Sequence, residues 1–144
     1  MKFFITLTKR HLIIITALII IALLVSGSVY SAKTNRIDGS TNALRVAFVK
    51  SLGYDIDETA VYTKEITIPQ KFGKVYKNYN ELQKAAGFDL SDHKGKKATL
   101  YCYKLSFDEQ TVVNLLVADG QIIGGDVANV RLDGEMKPLK DILS

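Results

Sequence analysis

Thr111–Val130 reads TVVNLLVADGQIIGGDVANV, and its centre decides the fold. Asp119-Gly120 suits the two central positions of a tight hairpin turn, and both flanking runs are rich in β-branched and other apolar residues. The stretch therefore predicts two antiparallel strands. Gly124-Gly125 interrupts the second and marks a bulge or a close backbone approach. Just upstream, Ala98–Leu105 (ATLYCYKL) is a third strand of the same kind, and the three make an antiparallel meander. Downstream, Asp133-Gly134 supplies another turn, and Leu139, Ile142 and Leu143 suggest a short closing helix.

Ahead of the meander, the apolar period changes from two to three and four. Leu44, Ala47, Phe48 and Leu52 mark one helical face, with Thr41 or Asn42 as the cap and Gly53 past the end. Tyr62–Ile68 is a strand, stopped by Pro69. From Gln70 to Ala86, the residues Phe72, Val75, Tyr76, Tyr79, Leu82 and Ala86 predict an amphipathic helix ended by Gly87. The order is helix, strand, helix, then three strands. It predicts a small two-layer α+β domain whose helices share one face of the antiparallel sheet.

Leu12–Val29 (LIIITALIIIALLVSGSV) contains no charge. Its eighteen residues span about 27 Å as a helix, enough for the hydrocarbon core. Lys2, Lys9 and Arg10 precede it, which favours the N-terminus inside. The expected organisation is a basic cytoplasmic N-terminus (1–11), a transmembrane signal anchor (12–30), a linker (31–40) and an extracytoplasmic α+β domain (41–144). A cleaved signal peptide, cut after Ser28 or Ser31, also fits and also places the domain outside. The expected location is the cell membrane, with the lipid bilayer as partner of the N-terminal helix.

The net charge of +4 is misleading, because three of the nineteen Lys and Arg residues precede the apolar run while all fifteen Asp and Glu residues follow it. The remainder is nearly balanced. The cluster Lys94-Gly95-Lys96-Lys97 reads as a solvated loop, so no nucleic-acid partner is expected. The single cysteine, Cys102, lies in an alternating strand and reads as a small buried side chain.

Three stretches carry a resemblance: IPQKFGKVYKNYNELQKAAGFD (68–89), LYCYKL (100–105) and VVNLLVADGQIIGGDVANVRLDG (112–134). Together they resemble a family of single-pass, membrane-anchored proteins of Gram-positive, clostridial-type bacteria that carry a domain of unknown function. The resemblance spans Leu44 to Gly134 and implies one small extracytoplasmic domain. Asp92-His93 departs from it, where an aromatic residue is expected. It carries over no catalytic residue.

Chemistry is sparse in the residues themselves. Zinc needs more Cys and His ligands than the chain holds. Asp55, Asp57 and Glu58 lack the spacing of a calcium loop and read as cap and solvated turn. Asp126 is the one acidic residue in an apolar strand context; a salt bridge or a hydrogen bond beside the bulge explains it, with Glu81 or Lys104 as candidate neighbours. Tyr76, Tyr79, Tyr101 and Tyr103 suit either a core or a binding surface. The expectation is a membrane-anchored binding or regulatory domain without catalysis, which takes a protein, peptide or envelope partner. No catalytic, cofactor-binding or metal residue is assigned, and no cofactor is expected. The alternative is a small cell-envelope hydrolase using Asp126 with Glu81 or His93.

Overall fold

The structure, a computed structural model, describes residues 36–131 and 134–139. The chain divides into two units, 1–35 and Arg36–Ser144, and the second is described by itself. The expected transmembrane span at 12–30 lies outside the described residues, as do Ile142 and Leu143 of the expected closing helix. Among the described residues no helix is long and apolar enough to cross a membrane.

The order is β1 (Ile37–Asp38), α1 (Asn42–Ser51), β2 (Tyr62–Thr67), α2 (Lys74–Ala85), a 3-10 turn (Leu90–His93), β3 (Lys97–Leu105), β4 (Asp108–Ala118), β5 (Gln121–Asn129) and β6 (Met136–Pro138). All pairings are antiparallel, and the open sheet runs β1-β5-β4-β3-β2. β6 joins β5 on the edge that β1 also uses. The meander is as expected. Asp119 (φ 50°) and Gly120 (φ 74°) both take positive φ in the turn between β4 and β5, as a two-residue hairpin of this hand requires. The bulge is there too: Leu116 pairs with Gly124 but Val117 with Ile122, so Ile123 is the extra residue.

Two short strands were not expected. Ile37 and Asp38, in the stretch read as linker, pair with Ile122 and Gln121, and Gly39 N donates to Gly120 O at 2.9 Å. Met136–Pro138 pairs with Asp126–Ala128. Both are too short to show periodicity.

The expectation that both helices share one face is corrected. Side chains alternate along strands, and the core divides accordingly. Tyr103, Val113, Leu115 and Val117 pack with Val46 and Val49 of α1. Leu116, Ala118 and Ala98 pack with Leu90, while Phe72, Tyr76 and Tyr79 from α2 and its approach lie against them. The sheet is thus sandwiched between the helices. Strands carrying apolar residues on both faces, as LLVA does, require that.

Helix details also shift. Thr41 caps α1, accepting from Leu44 N. The buried face of α1 is Arg45, Val46 and Val49, with Phe48 and Leu52 partly covered; Leu44 and Ala47 are exposed. α2 starts at Lys74, a turn later than Pro69 suggested, with Gly73 as cap. Its fully buried residues are Asn80 and Gln83, not Val75. Gly53 and Gly87 end the helices with positive φ, as expected.

Candidate binding site

A row of polar side chains crosses the sheet beneath α2. Register places Cys102 opposite Asn114, Asn114 opposite Asp126, and Asp126 opposite Pro138. Asp126 is 2% exposed. Its two carboxylate oxygens accept from Asn114 Nδ2 (2.9 Å) and from the Tyr79 hydroxyl (2.8 Å). Both donors are neutral, and no ion pair reaches Asp126 among the described residues. Burial pushes its carboxyl above the ordinary range, partly opposed by the bonds from Asn114 and Tyr79. Burial and then the nearby Asp126 carboxylate push the Tyr79 hydroxyl and the Cys102 thiol up. The thiol is therefore a buried neutral group.

Beside this row the edge of β5 is sealed by a side chain. β1 covers its start and β6 its end. Between them Gly125 N donates to Gln83 Oε1 at 2.7 Å. A Cβ on Gly124 would lie 2.7 Å from that same oxygen, and one on Gly125 2.5 Å from Asn114 O. The double glycine is thus a close approach as well as a neighbour of the bulge. At the end of α2, Asn80 Oδ1 accepts from Leu90 N (2.7 Å) and its amide donates to Asp89 (2.9 Å). Burial opposes ionisation of Asp89, but bonds from Ser91 and Asn80 override it and hold its carboxyl at about 2.

The outer side of α2 is of another kind. Val75, Tyr76, Asn78, Tyr79, Leu82 and Met136 line an open groove of about 410 Å³. Val75 is 83% exposed at its rim. Tyr79 joins the two regions: its ring lines the groove while its hydroxyl binds Asp126. The groove presents apolar and aromatic surface and almost no hydrogen-bonding groups, which suits an apolar side chain of a partner.

The residues singled out in sequence are dispersed. Asp126 is bound to Asn114 and Tyr79. Glu81 is exposed and paired with Lys84 at 3.0 Å. His93 is half-buried in the 3-10 turn; burial and then Lys96 push its imidazole pKa down. No hydrogen bond joins Asp126 to Glu81, His93 or Lys104 among the described residues. Glu58 pairs with Lys50 at 2.6 Å, and among the described residues no group of three His, Cys, Asp or Glu could hold a metal ion. Tyr101 and Tyr103 lie on the α1 face, opposite Tyr76 and Tyr79. There Arg45 is buried, stacks 3.7 Å over Tyr101, and donates to Tyr103 Oη (2.9 Å) and Gly39 O (2.7 Å).

Sequence reasoning missed Asn114, Gln83 and Arg45. Asn114 had a signal: it is the one polar residue in VVNLLVA, and one bulge residue in β5 brings it opposite Asp126. Gln83 and Arg45 had none, since polar residues in a helix are assigned to the solvent side.

No curated protein and no solved structure matches the chain. One family matches over residues 48–127, more than half of the chain, from within α1 to β5. It takes in the α2 side of the groove and Asp126 but not Met136. The chain belongs to this family, described as a domain of unknown function (DUF4830).

Proposed function

We propose that the chain is a single-pass membrane protein of a Gram-positive envelope. Its Arg36–Ser144 unit lies outside the membrane and acts as a binding or regulatory domain without catalysis. The uncharged run Leu12–Val29 and its basic flank support the anchor. The observation that carries the binding role is the groove beside α2, where Val75 is left 83% exposed next to Tyr76, Leu82 and Met136. An apolar rim of this kind, on a helix whose other face packs against the sheet, marks an interaction site. Asp126, the acid that a hydrolase would need, has one oxygen occupied by Asn114 of the neighbouring strand and the other by Tyr79, which ties α2 to the sheet.

Two measurements test this. Protease added to intact cells stripped of their wall should degrade the domain; full protection of residues 43–144 overturns the topology. A photoreactive residue at Val75 should give a discrete adduct of raised mass in intact cells, and the same residue at Lys64 on the edge strand should not. The absence of a Val75-specific adduct overturns the binding role.

A further inference from the structure

The molecule has a second prominent apolar feature. Phe107, at the tip of the hairpin between β3 and β4, is 92% exposed. Acidic residues surround it: Asp108 and Glu109 follow it, and Ser106 N donates to Asp55 O (3.0 Å), bringing in Asp55 and Asp57. Lys104 and Arg131 offset part of this charge. The groove has the opposite balance. Lys71, Lys74 and Lys77 lie around Val75, while Glu81 is already paired with Lys84. A lone exposed aromatic with an acidic surround is thus the complement of an apolar groove with a basic surround.

The two features cannot meet within one chain. Phe107 extends beyond the start of β4, while the groove lies over β6, whose Met136 pairs with Ala128 and through it with Val112. Both do lie toward the same end of the sheet, the end away from the Asp119-Gly120 turn where β1 brings in the chain.

We infer that the groove receives the Phe107 hairpin of a second copy of this chain, in a head-to-tail contact. The inference rests on the proposed binding role for the groove and names its partner. Phe107 fills the groove between Val75, Tyr76 and Leu82, and Glu109 of one copy faces Lys74 of the other. Because the contacting surfaces differ, each copy keeps a free tip or a free groove, and association continues into rows or closes into a ring.

The test uses the full chain in detergent micelles. Ser106→Cys is introduced in one preparation and Asn78→Cys in another; Cys102 is buried and stays in place. Mild oxidation of the mixture should give a disulfide-linked dimer containing one chain of each, several-fold above either preparation alone. Phe107→Ser in the Ser106→Cys chain should lower that yield by about tenfold or more, as loss of a central aromatic anchor does. Its thermal melt should stay unchanged, because the ring is exposed. Lys74→Glu or Glu109→Lys alone should reduce the yield, and combining them across the two chains should restore it. Like-with-like dimers in excess overturn the inference, and so does a yield indifferent to Phe107→Ser, as association through the apolar run would give. A Val75 photo-adduct with a foreign protein or a lipid, without the mixed disulfide, overturns this inference alone and leaves the binding role standing.

Discussion

Asp126 gives the sharpest test of the packing argument, because replacing it with asparagine should cost far less than replacing it with alanine. The carboxylate is 2% exposed, and its bonds come from neutral Asn114 and Tyr79. The groups that face it are Tyr79 from α2, Asn114 from β4 and the Cys102 thiol from β3; Pro138 of β6 is its partner in register. In Asp126→Asn, Oδ1 still accepts from Asn114, and the new amide donates to a Tyr79 hydroxyl that has rotated to accept. The number of hydrogen bonds is kept and the cost of a buried charge disappears, but the turned Tyr79 hydroxyl hydrogen and the second amide hydrogen are left without an acceptor. The two effects oppose each other, so the variant should stay within about 2 kcal/mol of wild type at neutral pH. Asp126→Ala leaves two buried donors without partners at about 1–3 kcal/mol each, so it should lose about 2–6 kcal/mol. The pH dependence has a definite sign. The folded carboxyl titrates above its ordinary value of 3.8. Between 3.8 and that raised value the native state holds more protons than the unfolded state, so the Asp126 contribution falls as pH rises through this window. Above the window the full penalty of the charge applies, and below it the penalty is absent. Urea melts of wild type, Asp126→Asn and Asp126→Ala from pH 4 to pH 8 measure all of this. A loss of more than about 2 kcal/mol for Asp126→Asn, close to that of Asp126→Ala, would refute the reasoning and mean that the negative charge itself is held by a cation.

The glycine pair should rank by what stands in the way. In Gly125→Ala the new methyl meets a backbone carbonyl at 2.5 Å, whereas in Gly124→Ala it meets the end of Gln83 at 2.7 Å; both should destabilise, by about 1–3 kcal/mol for Gly124→Ala and more for Gly125→Ala, in thermal melts. Fragments 36–144 and 41–144 should differ as well. The shorter one lacks the β1 pairing and the Gly39 carbonyl that Arg45 binds, so its urea midpoint should fall by the equivalent of about 1–3 kcal/mol; equal midpoints would make β1 dispensable.

The sequence made the central hairpin legible because Asp119-Gly120 is a local constraint: two adjacent residues must both take positive φ. The helix ends at Gly53 and Gly87 were legible for the same reason. The layer arrangement was not, because it is set by the far partner of each strand face. The clue lay in Leu115-Leu116-Val117-Ala118, where adjacent apolar residues demand cover on both sides. The buried side of α2 was misjudged for a related reason. Val75 fits the apolar period, yet Asn80 and Gln83 go inside because Leu90 N, Asp89 and Gly125 N wait there for them. Those partners are remote in sequence or outside regular elements. A hydrogen bond for Asp126 was legible, but its partners were not, since Tyr79 and Asn114 reach it from two other elements. The groove was half legible: Tyr76, Tyr79 and Leu82 were named, while Met136 arrives on a strand too short to foresee.

The shared edge of β5 also bears on the order in which the chain folds. β1 is synthesised before every other strand, yet Ile37 has no partner until Ile122 exists. Closing a loop of that length costs about 4 kcal/mol of chain entropy, which two residue pairs cannot offset until the meander has formed. The beginning of the domain must therefore be set in place late, and until then Ile122 and Ile123 border an open strand edge of the sort that recruits other chains. Amide exchange should show this as a gradient, with Gly39 opening far more readily than Val113 although both are hydrogen-bonded in the finished sheet.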